Sequence, residues 1–375
     1  MDNPTKIPIQ KINSLSSLRF IAASMIVVHH SRGLLWLTPD TFKNIPLDHA
    51  LSFFFVLSGF VLVHAYPTLD KIMPFYVARF ARIWPLHVCA FLALFATFWP
   101  YSYYLIRDSD MLLMVSNLAL VHGWIPVQKI YFSFNWLSWA VSVEAFFYLA
   151  FPLLINNFDR TWKYKLLGSL LLVTLLIAFC NYTTLLSSGQ VATDKISSTG
   201  ILYINPLSRL FEFVLGMSTA HLWKMYGKRI KLSRLSHSLL EICALCGVML
   251  SLYYSLPLLA AVYGFIGPVV YEYLCHTLSA LPIAALIFVM ALQKGILSSL
   301  LKFRPLVLLG NASFAMFLFH QIILRFYFAH AEYFHPLPIP LLYLFFWIFL
   351  ILFSLTVTYV VERPAQRFII SITNT

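Results

Sequence analysis

The sequence predicts an all-α fold, a polytopic bundle of about ten transmembrane helices with both termini in the cytoplasm. Composition and apolar run length predict it. The 375-residue chain is 60% hydrophobic and 17% aromatic but only 11% charged, against roughly 25% in a soluble domain. Its mean hydropathy is +0.80, and stretches long enough to cross a bilayer recur from one end to the other. These values exclude a soluble protein. The formal charge of +12 sits in short loops between apolar runs, which points to membrane orientation and not to nucleic acid.

Taken in order, residues 1–14 form a polar cytoplasmic tail. The first apolar run is too long for a signal peptide and has no small-residue cleavage site, so it stays as a helix. Spans are expected near 15–37, 47–66, 77–99, 137–156, 164–184, 203–223, 238–258, 276–293, 305–329 and 339–361. They make one transmembrane domain, 15–361, followed by a cytoplasmic tail, 362–375. The apolar run 111–125 holds Asn117 and His122 and suits a re-entrant or interfacial segment better than a span. With ten spans, 19 of the 26 basic residues face the cytoplasm. A full crossing at 111–125 would send the basic loops 157–165, 224–237 and 294–304 outside, against the orientation rule. The stretch 185–202 reads as a flexible outer connection, and Tyr and Trp at span ends such as Trp99 and Trp223 read as interface anchors. Cys243 and Cys246 form a C-x-x-C inside an apolar helix with no ligands nearby, so buried core cysteines are expected and no metal site.

Within the first span, Arg19 and His30 are eleven residues apart. At 100° per residue that is about 20° past three full turns, so the two side chains share a face roughly 16 Å apart. His29 points about 80° away from that face and reads as packing. Ionisable residues inside an apolar helix are costly and are functional candidates by default. Counting from the predicted span ends, His30, Glu144, Arg209, Glu212 and His320 share one level, roughly 9–14 Å below the outer surface. A buried polar layer around a cavity would explain that. Arg209 and Glu212, one turn apart, can equally satisfy each other, and His320 can equally be a hydrogen-bonded core histidine. A lone Glu144 carboxylate needs a partner, and His30 at its depth is the natural one, made more basic for work on a hydroxyl. On the cytoplasmic side, Arg19, Arg79 and Arg82 stand at the bases of two helices. They read either as topology determinants or as a phosphate site, because guanidinium groups pair bidentately with phosphate.

These residues resemble acyltransferase family 3, membrane proteins that O-acylate bacterial surface polysaccharides and related glycans. The matching motifs, in order, are Leu18-Arg19 with His30, and Phe53 to Phe60 with Ser58-Gly59. Then come Arg79-x-x-Arg82-Ile83-x-Pro85, Ser142-Val143-Glu144 with Phe147-Tyr148, and Arg209-x-x-Glu212-Phe213 with Gly216. Ser313-Phe314 leading to His320 and Glu362-Arg363-Pro364 complete the set. The chain departs from the pattern at Phe20 and at Ala140, Val141 and Ala145, where a second carboxylate is missing.

The resemblance implies acetyl-CoA or another short acyl-CoA as cytoplasmic donor, and no metal. It implies a lipid-linked or surface glycan (lipopolysaccharide O-antigen being one such class) as acceptor, and a multi-pass place in the bacterial inner membrane among its lipids, with room for a homo-oligomer. On this reading Arg79 and Arg82 hold the CoA phosphates together with Arg19. Ser58 and Gly59 allow close packing or line the acyl tunnel. His30 is base or acyl carrier supported by Glu144, and His320 is an oxyanion stabiliser. Ser142, Arg209 and Glu212 fall on the substrate side. The competing expectations are a secondary transporter that uses the same buried layer as a proton or substrate relay, and a non-catalytic glycan-binding scaffold.

Overall fold

The computed structural model describes residues 11–32, 45–97, 111–334 and 338–373. All ten predicted segments are helical. They are α1 (Asn13–Ser31), α2 (Ala50–Ala65), α3 (Ile72–Thr97), then a short α4 (Met111–Leu118), α5 (Ser138–Ile155), α6 (Phe158–Tyr182) and α7 (Leu210–Tyr226). After these come α8 (Arg234–Thr277), α9 (Ala280–Leu292), α10 (Arg304–Ala329), α11 (Ile339–Val357) and α12 (Arg363–Thr373). Seven helical stretches are long and apolar enough to cross a membrane. Among the described residues the one extended pairing is an isolated bridge between Val127 and Ile196. The chain is a multi-pass helical membrane protein.

Between helices in lipid, association rests on close van der Waals packing, so small residues at the contact matter. Gly59 of α2 lies on the Phe213 carbonyl and the Met217 amide of α7, and Gly216 of α7 lies on the Val56 carbonyl. A methyl group at either position would overlap backbone. Gly310 of α10 meets the Ser16 carbonyl of α1 in the same way. Both pairs run parallel. Lys11 pairs with Asn311 and His30 with His320 along α1 and α10. Phe60 meets Trp223 and Lys224 reaches the Val63 carbonyl along α2 and α7. α5 follows α2, with Phe147 on Phe55, while α3 runs against α5, with Phe75 stacked on Phe151.

The structure differs from the expected boundaries in four places. First, α1 stops at Ser31 because Arg32 is extended (φ −64°, ψ 138°); positions 33–37 of the predicted span lie outside the described residues. Second, the run 111–125 leaves the helix after Leu118, its described helical part being Met111–Leu118. Third, the sixth segment breaks between a π-helical turn, Gly200–Ile204, and α7. Fourth, α8 continues through positions 259–275, where a loop was expected, with a kink at Gly267. That residue has φ 75° and ψ 169°, a conformation essentially confined to glycine, and Pro268 follows it. Cys243 and Cys246 are exposed on α8, not buried in the core. Lys11, just before α1, and Arg363, the first residue of α12, line one cavity.

Candidate active site

A cavity of about 440 Å³ opens between α1, α2, α3, α5, α10 and α12. Its mouth carries Lys11, Arg19, Arg79, Arg82 and Arg363, and Glu144 is the one carboxylate in its lining. Along α2 it runs from Leu62 to Leu51, about 16 Å at 1.5 Å per residue. Polar groups give way inward to Leu51, Phe54, Phe55, Val141 and Phe317. An elongated anion with an apolar end fits that gradient.

The basic side chains at the mouth are held in different ways. Arg79 Nη2 donates to the Tyr66 hydroxyl at 3.2 Å, while its Nε is buried without a hydrogen-bond partner. Its guanidinium also stands 5.9 Å from the centre of the Tyr148 ring. Arg82 forms an ion pair with buried Glu362, so its charge is partly neutralised. Lys11 Nζ donates to Asn311 Oδ1 at 2.6 Å. Partial burial, then the positive charges of Arg19, Arg82 and Arg363, hold the Lys11 ammonium below the ordinary value of 10.5. A bound polyanion would relieve that crowding.

Glu144 belongs to this cavity and is not the partner of His30. Its Oε1 accepts a 2.6 Å hydrogen bond from Ser58 Oγ, and Tyr148, Arg19 and Arg79 surround it. The expected shared depth fails because α1 ends at Ser31, not at 37. His30 is therefore the penultimate residue of its helix, whereas Glu144 lies six residues into α5. The two alternatives for Ser58 and Gly59 divide between them: Ser58 lines the cavity, and Gly59 packs on α7.

The partner of His30 is His320. His30 Nδ1 lies 3.1 Å from His320 Nε2 and 3.0 Å from the Ile26 carbonyl, and His320 Nδ1 lies 3.1 Å from the Met316 carbonyl. Each carbonyl requires a proton on the Nδ1 that faces it. His30 Nδ1–H therefore donates to the His320 Nε2 lone pair, and His30 Nε2 is left as an unprotonated nitrogen with no hydrogen-bond partner among the described residues. His320 is fully buried with both ring nitrogens engaged, so it orients His30 and has no donor to spare for a substrate oxygen. His29 contacts the His30 ring edge-on and accepts from Arg32 Nη2 at 3.1 Å.

The remaining sequence candidates lie elsewhere. Ser142 is buried and donates to the Leu120 carbonyl, which ties down the turn after α4 instead of facing the cavity. Arg209 and Glu212 are fully buried and pair at 3.1 Å, with Arg209 Nε on the Tyr203 carbonyl and its guanidinium 4.6 Å from the Tyr203 ring centre. They brace the π-turn and do not line the cavity. Sequence reasoning missed Lys11, Asn311, Arg363 and Gln366, which it placed in tails or a loop-side helix start, and Tyr148, which it read only as part of a motif.

No solved structure matches the chain. It is 27% identical over 341 residues to a Streptomyces mycarofaciens protein named acyltransferase MdmB, covering 84% of this chain and 80% of that one. The family described as "acyltransferase domain" matches residues 12–363, nearly the whole described bundle. The chain is an acyltransferase and belongs to acyltransferase family 3.

Proposed function

We propose that the protein is a membrane O-acyltransferase that carries an acetyl or other short acyl group from cytoplasmic acyl-CoA to a sugar hydroxyl of a surface or lipid-linked glycan. The observation that carries this reading is the cavity. It has five basic side chains at its mouth and an apolar inner end, and on α10 His320 stands one turn beyond the lining residue Phe317. The phosphates of CoA would sit against Arg79, Arg19, Lys11 and Arg363, with Arg82 anchored by Glu362. The pantetheine arm would pass Ser58 and Glu144, whose oxygens can meet its amides and hydroxyl. The thioester would then reach the aromatic pair Phe54 and Phe317, and beyond it His30.

His30 Nε2, held by His320, then attacks the thioester carbonyl or takes the proton of the acceptor hydroxyl. The excess of basic residues in the loops at the mouth end supports a cytoplasmic donor side, and the family resemblance supports a bacterial inner membrane as the setting. Radiolabelled acetyl-CoA supplied to membranes containing the protein tests the reading. Label should enter a glycan fraction, and His30→Ala should lower that transfer by at least roughly 100-fold while the protein still inserts. Undiminished transfer in that variant would overturn it.

A further inference from the structure

A second carboxylate and histidine stand past the inner end of the cavity lining, outside every motif of the first reading. Asp48 Oδ2 accepts from His276 Nδ1 at 2.9 Å. The pair is part-exposed, 17% for the Asp48 side chain and 27% for that of His276. With Nδ1 protonated toward the carboxylate, His276 Nε2 presents a lone pair and has no hydrogen-bond partner among the described residues. The neighbouring histidines lack this arrangement. His49 has one nitrogen on Ser279 Oγ and the other on the Cys275 carbonyl. His29 accepts at Nδ1 from Arg32, so in the neutral ring its proton is on Nε2. His30 and His276 are thus the two rings in this cluster that offer a free basic nitrogen.

Their placement relates them to one cavity. On α2 the last lining residue is Leu51, and Asp48 is one turn beyond it; on α10 the last is Phe317, and His320 is one turn beyond that. The short helix Leu47–His49 that carries Asp48 packs on α1, and the charge of Asp48 reaches both His29 and His30. The Tyr203 ring lies 3.9 Å from the His276 ring centre to centre, with Arg209 on that same tyrosine. The π-turn at Gly200–Ile204 and the Gly267 kink deliver Tyr203 and His276 to this point, and π-turns are frequent at functional sites.

We propose that Asp48 and His276 form a second acid–base pair of the transfer, in which His276 Nε2 takes the proton of the acceptor hydroxyl while His30 carries the acyl group. The proposal rests on the acyl-CoA reading above. In the first step His30 Nε2 bonds to the thioester carbon, the carbon–sulfur bond breaks, and its electron pair leaves on the CoA thiolate. In the second step the acceptor oxygen bonds to the acyl carbon as its proton passes to His276 Nε2. The carbon–nitrogen bond then breaks and returns its pair to His30. The proton on His276 passes through solvent to the thiolate, and the cycle balances. Asp48 acts through His276 and is a positioning residue.

The test uses radiolabelled acetyl-CoA and the full-length protein in membranes of the producing cell deleted for it, so that the native acceptor is present. Label on the protein and label on the acceptor are read separately. His276→Gln should keep protein-bound, hydroxylamine-releasable label and lose acceptor labelling by roughly 100-fold. Asp48→Asn should do the same by roughly 10-fold, and adding it to His276→Gln should cost nothing further. Acceptor labelling at the parental rate in His276→Gln would overturn the proposal. So would loss of both labels in that variant with binding of a non-hydrolysable CoA thioether intact, or acceptor labelling in the parent with no protein-bound label under acceptor-depleted conditions. If CoA binding is lost in His276→Gln, the variant is misfolded, and the milder Asp48→Asn decides: unchanged acceptor labelling there would overturn the proposal. Survival of acceptor labelling in His30→Gln would instead remove the underlying acyltransfer mechanism.

Discussion

His30 and His320 form a two-ring chain whose proton order is fixed by two helix carbonyls, Ile26 and Met316. This order has a direct consequence under mutation. His320→Leu should leave His30 Nδ1 held by the Ile26 carbonyl alone, with the ring less firmly oriented, and acyl transfer should fall by roughly 10- to 100-fold. His320→Gln can still accept at a side-chain oxygen and should retain more of the rate, as initial velocities with labelled acetyl-CoA would show. Lys11 gives a pH dependence of known sign. Its ammonium titrates below 10.5 when the cavity is empty, and an anion favours the charged form. Acyl-CoA affinity should therefore hold at neutral pH and weaken as alkalinity deprotonates Lys11. Lys11→Met should remove that alkaline decline at the cost of several-fold weaker binding near pH 7, measured by titration in nanodiscs. That Arg19 and His30 stand on one helix was legible from the apolar run alone. The partner of His30 was not, because depth was counted from an apolar run that continues past the last helical residue. Asp48 and His276 are 228 positions apart and sit at span edges, where no sequence period links them.

At the level of helices, the glycine contacts are the sharpest constraint. Gly59→Ala puts a methyl group into the Phe213 carbonyl, with no flexible side chain available to give way. It should cost about 1–3 kcal/mol, read as a lower midpoint in a denaturant titration, with Gly216→Ala similar because Val56 backbone opposes it. Gly168→Ala, with open space around it, is the matched control. The rings of Phe54 and Phe317 are 6.3 Å apart, and Phe317 is 6.3 Å from His320, so this pair separates donor cavity from histidines. Phe317→Ala should raise acyl-CoA hydrolysis without acceptor and admit longer acyl chains, visible as free CoA thiol released per mole of glycan acylated. A helix falls within each of the ten runs picked out by length, since a lipid-facing helix announces itself in composition. The kink at Gly267 was less so: Gly-Pro reads as a loop signal, and only the surrounding helix turns it into a bend.

For the molecule as a whole, the polar groups divide into two districts, a basic one at the cavity mouth and an imidazole one a helical turn past its apolar inner end. Described residues from both chain ends, Lys11 and Arg363, belong to the basic district. A thiol-reactive, membrane-impermeant label should modify Gln366→Cys only in inverted vesicles, and modification in right-side-out vesicles would reverse the orientation. The division of labour between the districts was not legible in the sequence, because Glu144 looks alike to a sequence reader at either end. The glycine locks carry one more implication. α1 with α10 and α2 with α7 are each clamped backbone to backbone, and the cavity lies between these two clamped units. Shear inside either unit is blocked, so any breathing that admits a bulky donor must occur along the seam between them. A small rigid wedge lodged in that seam would jam the machine without touching a single histidine.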